Sequence, residues 1–86
     1  MLTASRPEIM EGLTAIFREV LDNPSLILRD DLTAADVENW DSLNHIDLIV
    51  TIERKFKIKF TTREVTSLQN VGELADLTLK KFVASR

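Results

Sequence analysis

The chain has 86 residues, 44% of them hydrophobic and 29% charged, with a net charge of −3 and no cysteine. This length gives enough apolar surface for one core and too little for two, so a single domain over 1–86 is expected, with its core in about 6–83 and short flexible ends. The composition excludes wholesale disorder, and the missing cysteine excludes disulfides and thiolate chemistry from the chain itself.

Charge is unevenly spread. Residues 1–53 hold eleven acids against three bases, and residues 54–86 hold eight bases against three acids. Such a dipole orients a charged partner on approach. The bases are not interleaved with aromatics along one stripe, which argues against nucleic acid as a partner. The longest aliphatic runs, Leu26-Ile27-Leu28 and Leu48-Ile49-Val50, are far too short to insert in a membrane. No basic and hydrophobic leader is visible, so a cytoplasmic monomer is expected.

With two glycines, two prolines and no sustained alternation, helices are the default. The first is predicted from about Arg6 to Leu21, capped by Ser5 with Glu8 at the capping-box position. Ile9, Leu13, Ile16, Phe17 and Val20 form its apolar face, and Asp22-Asn23-Pro24 ends it. Residues 25–41 then form a long connection, pinned to the core by Leu26, Leu28 and Leu32. The second helix is predicted from Asp41-Ser42 to about Lys55, with Leu43, Ile46, Ile49, Val50 and Phe56 inward. Lys57-Ile58-Lys59-Phe60 alternates like a strand but has nothing to pair with, so it is read as an extended loop. Thr61 with Glu64 opens a short helix to about Ser67. Asn70 with Glu73 opens a last helix to about Val83, with Val71, Leu74, Ala75, Thr78 and Phe82 inward. The fold class is therefore all-α: three longer helices, one short helix and a long first loop.

The chemistry rests on Trp40-Asp41-Ser42-Leu43. These residues put a serine in the first turn of an amphipathic helix, where backbone N–H groups have no helical partner and the dipole is positive. An anion attached to Ser42 there gains about 0.3–1 kcal/mol when exposed. Leu43 is expected to anchor the turn in the core and leave the hydroxyl facing out. The simpler reading is that Asp41 or Ser42 only caps the helix.

Asp41-Ser42-Leu43 resembles the attachment motif of acyl carrier proteins, and the similarity runs on. Ile46-Asp47-Leu48-Ile49, Ile52-Glu53, Phe56, Ile58 and Phe60 follow the family pattern down the second helix. Asn70-Val71-Gly72-Glu73-Leu74-Ala75 is similar to the start of the family's last helix. The resemblance covers roughly residues 7–83 and implies a four-helix carrier bundle. It implies that a phosphopantetheinyl transferase attaches 4'-phosphopantetheine to the Ser42 hydroxyl, with Asp41 helping to position the transferase's metal and the serine. The arm's thiol would hold an acyl group as a thioester, while acyl-loading and acyl-using enzymes supply the catalysis.

Two departures bear on the pathway. Fatty-acid members of the family usually carry several acids on the exposed face of the second helix. Here that face is expected to present Asn44, His45, Asp47, Thr51, Arg54 and Lys55, and the acids gather before the serine at Asp30, Asp31, Asp36, Glu38 and Asp41. This pattern points to a specialised lipid, polyketide-like or acyl-transfer pathway. The Gly-Gly-x-Ser approach of peptidyl carriers is replaced by Glu38-Asn39-Trp40, although an amino-acyl carrier and an armless interaction module on the same fold stay open. Trp40, His45 and Asp47 are the expected partner contacts, with Trp40 also suited to pack the loop on the second helix. The acidic loop lacks the glycine and terminal glutamate of a calcium loop and reads as solvated or partner-docking. A hydrolase using Ser42 and His45 would need Asp41 or Asp47 to orient the imidazole, with no oxyanion hole in sight.

Overall fold

The computed structural model describes residues 5–84; the expected flexible ends fall mainly on residues 1–4 and 85–86, outside the described residues. The described residues form four helices: α1 (Arg6–Val20), α2 (Ser42–Phe56), α3 (Thr62–Ser67) and α4 (Val71–Ala84), with a 3-10 turn at Ala34–Asp36 between α1 and α2. Among the described residues no strand occurs, and Lys57-Ile58-Lys59-Phe60 leads from α2 towards α3 without one. The all-α architecture is as expected.

The Ser5 hydroxyl starts α1 by accepting the Glu8 amide at 3.4 Å and donating to Glu8 Oε1 at 2.8 Å. Ile9, Leu13, Ile16 and Phe17 are buried as the spacing requires. Val20 is half-buried, and Leu21, just past the helix, is buried instead. The chain then turns through Asp22 at φ 53°, a left-handed conformation that a short polar side chain tolerates.

On α2 the expected inward face is corrected. Leu48, Ile49 and Ile52 enter the core, while Leu43, Ile46 and Val50 are 78%, 60% and 39% exposed. At 100° per residue, the apolar arc of this helix spans more than half its circumference. The core takes the side centred on Leu48 and Ile52 and leaves the other side out.

The long connection is pinned more firmly than its length suggests. Leu32 and Val37 are buried, and Leu26 and Leu28 pack half-buried against the core. The first amides of α4 close on it: Val71 N–H donates to the Leu32 carbonyl and Gly72 N–H to the Asp30 carbonyl, each at 2.9 Å. Glycine lets the two segments approach at 72, where a Cβ would meet the Asp30 carbonyl oxygen at 3.0 Å and force the loop to give. The 3-10 turn has no counterpart in the helical spacing. It forms because Thr33 and Asp36 make a capping box, and the Thr33 amide and hydroxyl hold the Asp36 carboxyl below its ordinary range. Asp30 pairs with Arg6 at 2.9 Å and Asp31 with Arg29 at 3.2 Å. These loop acids stay solvent-exposed, as the sequence suggested, and also make local bonds.

Both predicted caps near the C-terminal half are present. Thr61 and Glu64 form a complete capping box on α3. Asn70 Oδ1 accepts the Glu73 amide at 2.8 Å, but the Glu73 carboxylate reaches back to the Gln69 amide, one residue before the position a capping box uses. In α4, Val71, Gly72, Leu74, Ala75 and Thr78 are buried, and Phe82 is half-buried against Phe56, ring centroids 5.8 Å apart. The broad helix contacts are those of α1 with α2 and of α1 with α4. The short α3 buries none of its residues.

Phe17 is fully buried and Ile27 is 70% exposed. Phe17→Ala should therefore cost about 3–5 kcal/mol, and Ile27→Ala less than about 0.5 kcal/mol, measured by denaturant unfolding.

Lys81 Nζ reaches Glu64 Oε1 at 2.8 Å, and this bond, ahead of the Thr61 amide, holds the Glu64 carboxyl below its ordinary value of 4.5. A depressed folded-state carboxyl stabilises the fold above its unfolded pKa and loses that contribution as pH falls through the folded value. Acidification below 4.5 should therefore loosen α3 before the bundle unfolds, seen as earlier loss of amide protection there than in α1. In Lys81→Met that difference should shrink.

Candidate functional site

The site begins with Asn39. Its backbone is left-handed, φ 71°, and its side chain donates to the Leu21 carbonyl at 3.3 Å, tying the loop to the end of α1. Its own carbonyl accepts from the Asn44 side chain at 2.7 Å. Asparagine suits both tasks, since it tolerates positive φ and carries a donor on a short stem. Asn44 was expected only as an exposed residue of the second helix, and no structural role was expected of Asn39; the pair Asn39-Trp40 directly before a helix cap was the available signal.

The turn at Asn39 sends Trp40 inward. The indole is 8% exposed and meets the Phe17 ring edge-on, centroids 5.0 Å apart. Trp40 therefore packs the loop, as one of its two expected roles had it, and its burial leaves little of it for a partner enzyme. Asp41 then caps α2, its carboxylate accepting the Asn44 amide at 2.9 Å and its carbonyl the His45 amide at 2.8 Å. Ser42 follows as the first helical residue, and its side chain is exposed. The amides of Ser42 and Leu43 have no intrahelical acceptor and face the same end. No acid lies in the first turn of α2 itself.

Leu43 does not anchor this turn; it is among the most exposed hydrophobic residues in the structure. The anchor is Trp40, on the other side of the serine. His45 is not a plain surface residue either. It is half-buried, accepts the Trp40 indole N–H on Nδ1 at 3.1 Å, and lies 3.4 Å from the Val65 carbonyl through Nε2. Neither ring nitrogen meets a carboxylate, so the serine–histidine–aspartate arrangement is not assembled. Asp47 is exposed on α2. Among the described residues no cluster of His, Cys, Asp or Glu could hold a metal.

Ser42 sits at the rim of a groove of about 730 Å³ between α2, α3 and the α3–α4 link. Ile46, Ile49, Val50, Phe60, Val65 and Leu74 contribute its apolar walls, with polar groups such as Asp41, Thr62 and Gln69 also bordering it. This fits a long, flexible, covalently held group: an accessible hydroxyl beside free helix-start amides for a phosphodiester, and apolar volume within reach of it. The groove itself was not legible in the sequence, because its walls come from residues 34–74 across several elements.

An exposed serine at a helix start beside an apolar groove is the arrangement of a carrier module. Residues 11–78 match the family model described as the phosphopantetheine attachment site. The acyl carrier protein of Acidothermus cellulolyticus is 31% identical over 84 residues, covering 98% of this chain and all of that one. That of Thermosynechococcus vestitus is 28% identical and covers 93% of this chain and 99% of that one. A solution structure of holo acyl carrier protein from Geobacter metallireducens superposes with a TM-score of 0.84 at 45% identity, covering 90% of this chain and 88% of that chain. The chain belongs to the acyl carrier protein family. It is a carrier rather than an enzyme, with 4'-phosphopantetheine as its covalent prosthetic group. No helix among the described residues is long and apolar enough to cross a membrane.

The cap and the exposed leucine separate cleanly. Asp41→Ala should lower stability by about 1 kcal/mol, as lost N-caps do, while Leu43→Ala should stay within about 0.5 kcal/mol of wild type. Thermal unfolding followed by circular dichroism measures both.

Proposed function

We propose that Ser42 carries the phosphopantetheine arm, within a single carrier domain that acts as a cytoplasmic monomer. The observation that supports this most directly is the exposed serine at the first position of α2, beside a capping aspartate and at the mouth of an apolar groove. Asp41 has a second task in this reading: it fixes the helix start, and so holds the hydroxyl where a transferase can reach it. The groove offers apolar room for the acyl end of the cargo, which shields a thioester from water.

The partners are a phosphopantetheinyl transferase and enzymes that load and use the acyl group. What they meet on α2 is an apolar row, Leu43, Ile46 and Val50, beside one acid, Asp47, with Arg54 and Lys55 further along. A partner that docks by basic residues alone gains little from such a face. Apolar contact with Leu43 and Ile46, steered by Asp47, favours enzymes of a specialised lipid, polyketide-like or acyl-transfer pathway over a partner set selected by acid-rich helices.

Incubation with coenzyme A and a broad-specificity transferase should add one phosphopantetheine to the wild-type protein by intact mass, and none to folded Ser42→Ala. A folded wild-type protein that gains no mass, or a Ser42→Ala protein that gains it, would refute the assignment.

A further inference from the structure

The short helix α3 forms one wall of the groove, yet it is weakly held. It has six residues, none fully buried, with Val65 alone packing part-buried on the core, and it lacks the broad contact with α1 that α2 and α4 enjoy. A helix this short does not persist by itself in water. Its ties are few and identifiable. Glu64 pairs with Lys81 on α4 at 2.8 Å. Upstream of α3, the Phe60 amide donates to Glu53 Oε2 at 2.8 Å. The direct polar link from α3 to the opposite wall of the groove comes from His45.

The chemistry of that link is set by its neighbour. An indole N–H can only donate, so His45 Nδ1, 3.1 Å from Trp40 Nε1, must be the unprotonated nitrogen. In the neutral imidazole the proton is then on Nε2, the atom that faces the Val65 carbonyl at 3.4 Å. Trp40 therefore chooses the tautomer that lets His45 donate to α3. Trp40 is itself fixed by its edge-on contact with Phe17 in the core. A continuous chain of contacts runs from the core through Trp40 and His45 to α3, crossing the groove near the end where Ser42 stands.

We propose that His45 is a positioning residue that ties α3 to α2 and thereby keeps the groove closed around cargo tethered at Ser42. The cargo half of this proposal rests on the carrier reading; the tie between the helices does not. Asparagine at 45 can still accept from Trp40 but is too short to reach Val65, whereas glutamine has the reach to donate to α3. Trp40→Phe keeps the ring on Phe17 but removes the N–H that selects the tautomer.

Amide hydrogen exchange on the unmodified protein tests the tie. In His45→Asn, exchange in Thr62–Ser67 should rise about tenfold with α1 and α4 unchanged. His45→Gln should restore most of the protection, and Trp40→Phe should raise α3 exchange less than His45→Asn does. An unmoved α3 in His45→Asn, or a rise equal in α1 and α4, would overturn it. With an octanoyl chain loaded on the arm, hydroxylamine should cleave the thioester several-fold faster in His45→Asn than in wild type. Equal cleavage rates with a loosened α3 would overturn the groove-closing role. Failure of the arm to attach would instead sink the carrier reading, and the exchange data would still decide the tie.

Discussion

Burial of Trp40 against Phe17 governs where the functional part of this molecule can be. The indole is fixed in the core and the backbone immediately before it is left-handed at Asn39. These two facts decide which way the chain points when it starts α2. Asp41 is then placed to cap, and Ser42 becomes the first helical residue with its side chain in solvent. Each residue added to or removed from this turn would rotate the start of the helix by about 100°, so the register of the buried tryptophan is also the register of the exposed serine. The anchor lies on the N-terminal side of Ser42, which frees Leu43 on the other side from any duty in the core.

That freedom is visible along the rest of α2. The helix carries more apolar surface than the bundle can cover. Leu48, Ile49 and Ile52 are enough to close the core against α1, and Leu43, Ile46 and Val50 are left outside. A helix required only for folding would carry polar residues there. The apolar residues of this helix thus serve two places: an inner face packed on α1, and an outer face that borders the groove. Ile46 and Val50 belong to both the groove and the exposed row, so the groove and the surface beyond it share a wall.

Features fixed by near neighbours were the ones that the sequence disclosed. The Ser5, Thr61 and Asn70 caps depend on residues three apart, and each is found where the spacing puts it. The face of α1 was readable because its apolar arc is narrow. On α2 the arc is so wide that periodicity alone cannot orient it, and the inward direction went to the wrong edge at Leu43, Ile46 and Val50. Deciding it required knowing that Trp40 fills the space beside Phe17, a contact between residues far apart in the chain. The 3-10 turn was missed for a different reason: Thr33 and Asp36 carry the usual capping spacing, but no apolar period follows them. The helix start at Asp41-Ser42 and the family were legible in a contiguous motif. The groove and the bonds of His45 were not, since they join α2 to α3 and to the α3–α4 link.

The distribution of order in the bundle follows from the same contacts. Helices α1, α2 and α4 share the buried core, and loosening any one of them exposes the side chains of the others. The short α3 has no fully buried residue; part-buried packing of Val65 on the core, an ion pair, a carboxylate–amide bond before its start and one imidazole hold it. Elements that open at low free-energy cost are those with few buried apolar contacts. In a carrier this places the most easily displaced wall directly beside the groove and leaves the helix that bears the serine rigid. The groove wall and the serine therefore rest on different contacts: the first on six residues with little burial, the second on Trp40 in the core.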